Sequence, residues 1–151
     1  MSVRDAYGDE LNTADGPRSE GSPQKQHPPV ILVADDEPDM RSLMSFVLIR
    51  AGYEVVSASD GDQAVRFLFE RKPHLAILDV NMPGRSGYSV TSAIREDGEL
   101  RSTPVLLVSA TTRMPSEEGL QGADSWLSKP FASRDLLDSV ASLLGRKTET
   151  P

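Results

Sequence analysis

The stretch VILVADDEP, residues 30–38, combines a strand pattern with an acidic turn and the start of a helix. Its first five residues are all apolar, as expected of a strand buried on both faces of a parallel sheet. Pro38 fits the first turn of a helix, and Gly52 fits its end. Between them, apolar residues recur at helical spacing: Met40, Leu43, Met44, Val47 and Leu48. The stretch therefore predicts a buried strand, an acidic turn over residues 35–37 and a core-facing helix.

Four more strand–helix units follow along the chain. The predicted strands are EVVSA at 54–58, LAIL at 75–78, PVLLV at 104–108 and SWL at 125–127. The predicted helices are one with Ala64, Val65, Leu68 and Phe69 on its core face, one over 87–96, a short one over 115–122, and one with Leu136, Leu137, Val140, Leu143 and Leu144 that ends at Gly145. This alternation predicts an α/β fold, a doubly wound five-stranded parallel sheet flanked by five helices.

The two ends of the chain lack such patterns. Residues 1–29 are rich in Gly, Pro, Ser and acidic residues and have no run that would compensate the entropy of ordering, which predicts a flexible polar arm. Residues 147–151 are predicted to form a short C-terminal fray. The domain is therefore expected over residues 30–146.

Composition excludes several classes of function. The 151 residues are 38% hydrophobic and 26% charged, and they contain no cysteine, which excludes thiol chemistry and disulfides. The net charge of −7, with a pI near 4.8, opposes binding to a nucleic-acid backbone. No apolar run reaches membrane-spanning length, and residues 1–29 do not follow the order of a signal peptide. A cytoplasmic protein is expected.

Charged residues follow three of the predicted strands. Asp35 and Asp36 follow the first, Asp79 the third and Lys129 the fifth, and the ends of parallel strands share one edge, where ligands bind. Either acidic position alone has a structural explanation, as a helix cap or a turn residue. Three carboxylates at one edge, however, repel each other unless a cation neutralises them. Mg²⁺ and the Lys129 ammonium are the two candidates.

Ser109 ends the fourth strand and has two interpretations. It could cap a helix, or it could donate a hydrogen bond to an oxyanion bound at the same edge. His27 and His74 have no spaced partner and are not predicted to bind metal or carry a phosphoryl group. Arg85, Arg95 and Arg101 are interpreted as scattered, solvated surface charges.

Four motifs in order along the chain resemble the receiver domain of two-component response regulators. They are VADDEP at 33–38, LDVNMPG at 78–84 with Gly87, VSA at 108–110 and GADSWLSKPF at 122–131. The resemblance covers about residues 29–146. It implies the flavodoxin-like strand order 2-1-3-4-5.

The resemblance also implies roles for individual residues. Asp79 would be the phosphoacceptor, a carboxylate nucleophile. Lys129 would pair with a phosphoryl oxygen. The peptide bond between Lys129 and Pro130 would be cis. The Mg²⁺ ligands would be Asp35, Asp36, Asp79 and the backbone carbonyl of Asn81.

Two further positions match the switch residues of such domains. Ser109 would turn toward the phosphoryl group, and Trp126 would fill the space that this movement opens. Thr111 and Asn81 lie where they would tune the lifetime of the phosphoryl group. The chain also departs from the family pattern, because the interval from Ser109 to Trp126 is short and Ser125 stands where regulators that dimerise often have an acid.

The expected function is therefore that of a single-domain response regulator. It would accept a phosphoryl group from a histidine kinase or phosphotransfer protein and signal to an unknown downstream protein, without turnover as an enzyme. The alternatives are a receiver-like scaffold that works without phosphorylation, a phosphohydrolase and a flavin carrier. The phosphohydrolase is disfavoured because Asn81 stands where that class has a second acid, and the flavin carrier because an acidic edge binds phosphate poorly.

Overall fold

Five parallel strands form one sheet in the computed structural model, which describes residues 27–110 and 117–149. The strands are β1 Val30–Ala34, β2 Glu54–Ala58, β3 Leu75–Asp79, β4 Val105–Ser109 and β5 Ser125–Ser128. The helical segments are α1 Pro38–Arg50, α2 Gly61–Arg71, α3 Gly87–Glu96, α4 Glu117–Leu120 and α5 Ser133–Glu149. The predicted arm, apart from residues 27–29, lies outside the described residues, as does Thr111.

The strand order is β2-β1-β3-β4-β5, and every neighbouring pair is parallel. This confirms the doubly wound sheet and the order 2-1-3-4-5. The chain passes from β1 outward to β2 and then returns to place β3 on the other side of β1. A crevice for ligands forms at such a reversal, outside the carboxyl ends of the strands.

Two apolar layers cover the faces of the sheet. Alternate residues of the strands point to opposite faces, so Leu32 packs with residues of α2 and α3, whereas Ile31 packs with residues of α1 and α5. Strands β3 and β4 are buried at every position. Burial on both faces explains why these strands are continuous apolar runs in the sequence.

Two residues predicted for the core are exposed. Leu43 is 46% exposed and Phe69 is 45% exposed, although their neighbours Met44 and Leu68 are almost fully buried. Successive helical residues differ by roughly 100° around the axis, so a residue next to a buried one can face solvent. Helices α1 and α2 therefore bury a narrower stripe of residues than their apolar patterns predicted.

The prediction of five helices is wrong in its count. Four helices of ten residues or more flank the sheet, and within the described residues the connection between β4 and β5 contains only the single turn α4. Gln121 and Gly122 follow α4 with positive φ angles of 51° and 97°, which end a right-handed helix. Of the helix predicted over 115–122, the described residues contain one turn, Glu117–Leu120, and residues 115 and 116 lie outside the described residues.

The predicted end of the last helix is also wrong. Helix α5 continues past Gly145 to Glu149, into the segment predicted as a fray. Glycine disfavours a helix interior by only about 1 kcal/mol, and the residues after Gly145 include good helix formers. No helix in residues 27–110 and 117–149 is long and apolar enough to cross a bilayer.

Arg95 is a structural residue, not the solvated surface charge predicted. Its guanidinium donates to the carbonyls of Gly122, Arg101 and Thr103 at 2.8, 2.9 and 2.7 Å. It also contacts the Asp124 carboxylate at 2.8 Å, and that carboxylate accepts the N–H of Val105 at 2.8 Å. Arg95 therefore ties the end of α3 to the segments that enter β4 and β5.

Replacing this guanidinium is expected to destabilise the fold. Arg95→Ala should lower the free energy of unfolding by about 2–3 kcal/mol, because it removes several charge-assisted hydrogen bonds at once, including the one to the partly buried Thr103 carbonyl. Urea unfolding measures the change. The matched control is Arg71→Ala, which removes an exposed ion pair with Glu54 and should change stability by less than about 1 kcal/mol. Equal losses in the two variants would contradict the structural role.

Candidate functional site

The carboxyl ends of the four strands β1, β3, β4 and β5 bring the predicted site residues together. Asp35 and Asp36 directly follow β1, and Asp79 is the last residue of β3. Ser109 is the last residue of β4, and Lys129 directly follows β5. The side chains therefore meet because the strands are parallel and end at one edge.

Lys129 is the positive centre of this edge. Its Nζ lies 3.0 Å from Asp35 Oδ2, 3.6 Å from Asp79 Oδ2 and 3.4 Å from Glu37 Oε1. Its backbone N–H donates to the Ser109 carbonyl at 2.7 Å. This bond attaches the start of the connection between β5 and α5 to the end of β4. The peptide bond between Lys129 and Pro130 is cis, as the resemblance implied.

Asp35 is held by bonds at both of its polar groups. The side chain is fully buried, and its Oδ1 accepts the backbone N–H of Glu37 at 2.9 Å. The Asp35 carbonyl accepts a bond from the Arg41 guanidinium at 2.7 Å. These contacts leave Oδ2 directed at Lys129. These contacts fix the position of the Asp35 carboxyl group next to Lys129.

Asp79 is a buried carboxyl group that is difficult to ionise. Burial and the neighbouring charge of Asp35 raise its pKa from 3.8 to about 6, against the opposing effect of Lys129. The backbone N–H of Asn81 points to Asp79 Oδ1 at 3.4 Å and favours the ionised form more weakly. An added cation would lower this pKa and favour the nucleophilic carboxylate.

Lys129 remains charged in this environment. Burial by itself lowers the pKa of an ammonium, but the contact with Asp35 and the charges of Asp35, Asp79 and Glu37 raise the pKa of Lys129 above 10.5. The site therefore has a permanent ammonium between carboxylates.

The set of oxygen donors fits a hard divalent cation. Oxygens of Asp35, Asp36 and Asp79 lie within 4.8 Å of one another, with Asp35 and Asp79 buried and Asp36 exposed. Asp36 and Asp79 line a cleft of about 270 Å³, together with Glu37, Asn81, Ala110 and Lys129. Mg²⁺ prefers a few carboxylates with waters and phosphate oxygens. This cleft has room for such a cation and a small anion.

The two predicted switch residues lie on adjacent strands. Ser109 is buried at the end of β4, and Trp126 lies in β5 opposite Leu107. Trp126 packs against the apolar layer that contains Leu107, and its indole nitrogen is buried with no hydrogen-bond partner among the described residues. Both residues lie near the edge of the sheet that holds Asp79 and Lys129. Their roles as switch residues stay predictions.

Sequence reasoning missed the role of Glu37. This residue adds a third carboxylate to Lys129, and its side chain is 66% exposed. The available signal was its place in the acidic run that follows β1. His74, in agreement with its prediction, has a structural contact: its Nδ1 accepts the Val30 backbone N–H at 3.0 Å.

Comparison with known proteins identifies the family. The profile of the response regulator receiver domain matches residues 31–141, and the chain therefore belongs to this family. The fold and the acidic edge agree with that membership.

Solved structures give the same result. Chemotaxis response regulator CheY4 of Vibrio cholerae is 31% identical, with a TM-score of 0.73 over 77% of this chain and 98% of its own. Response regulator TrrA of Thermotoga maritima, in complex with Mg²⁺ and BeF, is 34% identical, with a TM-score of 0.70 over 76% of this chain and 98% of its own. The receiver domain of a sensor histidine kinase from Pseudomonas aeruginosa, with magnesium in its active-site cleft, is 28% identical, with a TM-score of 0.72 over 78% of this chain and 98% of its own.

The raised pKa of Asp79 predicts that replacing this carboxyl group by a neutral amide stabilises the fold, and that the gain depends on pH. The folded-state pKa of about 6 exceeds the ordinary 3.8, so ionisation of Asp79 lowers the stability of the fold as the pH rises from about 3.8 to about 6, and the loss is complete above that range. Without divalent cations, Asp79→Asn should raise the free energy of unfolding by about 1–3 kcal/mol near pH 7.5 and by less near pH 4.5.

Urea unfolding at the two pH values measures this gain. Asp138→Asn, an exposed substitution on α5, is the control for charge removal elsewhere. A gain that is the same at both pH values would contradict the assignment to Asp79.

Proposed function

We propose that this receiver domain accepts a phosphoryl group on Asp79 from the phosphohistidine of a histidine kinase or phosphotransfer protein. The observation that carries the proposal is the convergence of Asp79, Lys129 and the acidic pair Asp35 and Asp36 at one edge of the sheet. The cytoplasmic location expected from the sequence and the absence of enzymatic turnover are parts of this proposal.

The proposed metal is Mg²⁺, held by Asp35, Asp36, Asp79 and the backbone carbonyl of Asn81. Bound there, Mg²⁺ would offset the repulsion between an anionic phosphoryl donor and the Asp79 carboxylate. The three carboxylates supply the hard oxygen donors that this cation prefers. The magnesium and Mg²⁺–BeF complexes of the two similar structures support the assignment.

Asp79 is the proposed nucleophile of the transfer. Its carboxylate oxygen forms a bond to phosphorus as the bond from phosphorus to the imidazole nitrogen breaks, and the imidazole leaves with the electron pair. Lys129 Nζ lies 3.6 Å from Asp79 Oδ2, close enough to pair with an oxygen of a phosphoryl group bound to Asp79.

The proposed output follows from the new charge. A phosphoryl group adds about −1.5 to −2 charges and three acceptor oxygens. Ser109, at the end of β4, would donate to one of them, and Trp126 would change its packing on the neighbouring strand. The indole N–H supports such a change, because it is buried and no residue in 27–110 or 117–149 accepts its hydrogen bond.

Phosphorylation can be tested directly by intact mass. Incubation with acetyl phosphate and Mg²⁺ should add one phosphoryl group to the wild-type protein and to Asp138→Asn, but none to Asp79→Asn. Chelation of Mg²⁺ should also abolish the addition, because the donor and the carboxylate would then repel each other.

Beryllofluoride binding separates the alternatives if no phosphoryl group is added. Binding in the wild-type protein and not in Asp79→Asn would keep Asp79 as the acceptor and indicate an unsuitable donor. Failure of both beryllofluoride binding and phosphorylation would contradict the proposal and favour the phosphorylation-independent scaffold.

The switch predicts a fluorescence change that depends on Ser109. Trp126 is the only tryptophan in the chain, so its emission reports on this position alone. Emission should shift when beryllofluoride and Mg²⁺ bind, and Ser109→Ala should reduce the shift while binding persists. Ser139→Ala, on α5, is the control and should behave as the wild type. An unchanged emission in the wild-type complex would contradict the switch.

A further inference from the structure

The loop between β3 and α3, residues 80–86, rests against the first turn of α2. The backbone N–H of Gly61 donates to the Pro83 carbonyl at 3.2 Å. Beside this bond, the Arg85 guanidinium contacts the Asp62 carboxylate at 3.3 Å. The loop contains Asn81, which lines the cleft next to Asp79. The start of α2 therefore touches the segment that supplies one side of the site.

Gly61 allows this contact because it has no side chain. A Cβ atom at Gly61 would lie 2.2 Å from the Arg85 carbonyl oxygen and 2.5 Å from the Arg85 Cβ. Neither atom can move away by a side-chain rotation, so any larger residue would displace the backbone of the loop. The requirement is for space, since Gly61 lies within a right-handed helix.

The loop is also closely packed at its other end, where it meets α3. A Cβ atom at Gly87 would lie 2.6 Å from the carbonyl oxygen of Asp79. The Gly87 N–H donates to the Val80 carbonyl at 2.9 Å, and the Thr91 hydroxyl donates to the Gly87 carbonyl at 2.8 Å. A displacement forced at Arg85 would therefore be transmitted toward Asn81, because the α3 end of the loop cannot absorb it.

The first turn of α2 is itself a firm support. The Asp60 carboxylate accepts the Gln63 N–H at 2.7 Å and caps the helix. The Gln63 side chain in turn accepts the Ser59 N–H at 2.7 Å. These two bonds fix the position of Gly61 relative to the end of β2. The first turn of α2 is therefore attached to the sheet, and it would stay in place if the 80–86 loop moved.

The steric contact is more important than the ion pair beside it. The side chains of Arg85 and Asp62 are 42% and 71% exposed, and exposed pairs contribute little. The close approach of Gly61 to the Arg85 backbone instead restricts the position of the loop sterically. Backbone placement therefore depends on Gly61 and only weakly on the Arg85 side chain.

We infer that Gly61 is a positioning residue for the divalent-cation site, because its contact with the 80–86 loop sets the place of the Asn81 backbone carbonyl. This inference rests on the part of the proposed function that assigns Asn81 to the cation. It adds a residue on α2 to a cation site whose proposed ligands all lie at or just after the ends of β1 and β3.

The test compares cation affinity in Gly61→Ala and Gly98→Ala. Gly98 has no atom within 4 Å of its would-be Cβ, so the same substitution there has no steric consequence. Calorimetric titration of the unphosphorylated proteins with Mg²⁺ measures affinity, and urea unfolding without Mg²⁺ measures stability. Gly61→Ala should bind Mg²⁺ about tenfold more weakly or worse, as for substitutions of residues that orient metal ligands. Gly98→Ala should bind as the wild type.

Two more variants separate positioning from a general structural effect. Arg85→Ala removes the ion pair but keeps the backbone contact, and its affinity should stay within about twofold of the wild type. Should Gly61→Ala fail to fold, Gln63→Ala loosens the first turn of α2 without adding an atom, and it should weaken Mg²⁺ binding by a smaller factor. Nitrogen–proton NMR of the Asn81 amide should show a displaced loop in each weakened variant.

Each outcome either supports or overturns the inference. Unchanged Mg²⁺ affinity in a folded Gly61→Ala would overturn it. If Gly61→Ala does not fold, unchanged affinity in Gln63→Ala would overturn it. An equal loss in Arg85→Ala would do the same, as would a wild-type protein that does not bind Mg²⁺. If Mg²⁺ binding is weakened as expected but Asp79 accepts neither a phosphoryl group nor beryllofluoride, the proposed function fails and the inference stands.

Discussion

The contact of the Lys129 ammonium with the buried Asp35 carboxylate is the interaction on which the site depends. Asp35 is fully buried, and an isolated buried charge is strongly unfavourable unless it is paired. Lys129 follows β5, at the edge of the sheet, and its side chain reaches across the end of β4 to Asp79 and Asp35. The strand order therefore allows the Lys129 ammonium to compensate the charges of Asp35 and Asp79. A sheet without β5 beside β4 would leave the acidic ends of β1 and β3 unpaired.

Much of the fold could be predicted from the sequence, because buried parallel strands appear there as uninterrupted apolar runs. All five strands lie within one residue of their predicted bounds. The acidic edge was predictable for a related reason, since the ends of parallel strands meet and a charged residue directly after an apolar run has a known position. Asp35, Asp79 and Lys129 were found in this way, without any knowledge of side-chain contacts.

The contacts that the sequence did not reveal are those between distant segments. Arg95 and Asp124 are 29 residues apart, and Asp62 and Arg85 are 23 apart, so no local spacing connects them. Periodicity also could not establish how wide a stripe each helix buries. Leu43 and Phe69 therefore fit the apolar pattern, although they face solvent. The end of α4 at Leu120 coincides with left-handed backbone at Gln121, which this residue type does not indicate.

The three carboxylates around Lys129 differ in how readily a new anion can replace them. Asp35 is fully buried and bonded to the Glu37 N–H, and Asp79 is the proposed acceptor itself. Glu37 is 66% exposed and lies 3.4 Å from Nζ, so water can solvate it when it leaves the ammonium. A phosphoryl oxygen can therefore take the place of Glu37 while the contact with Asp35 persists. In this way the ammonium can bind a new partner without leaving a buried charge unpaired.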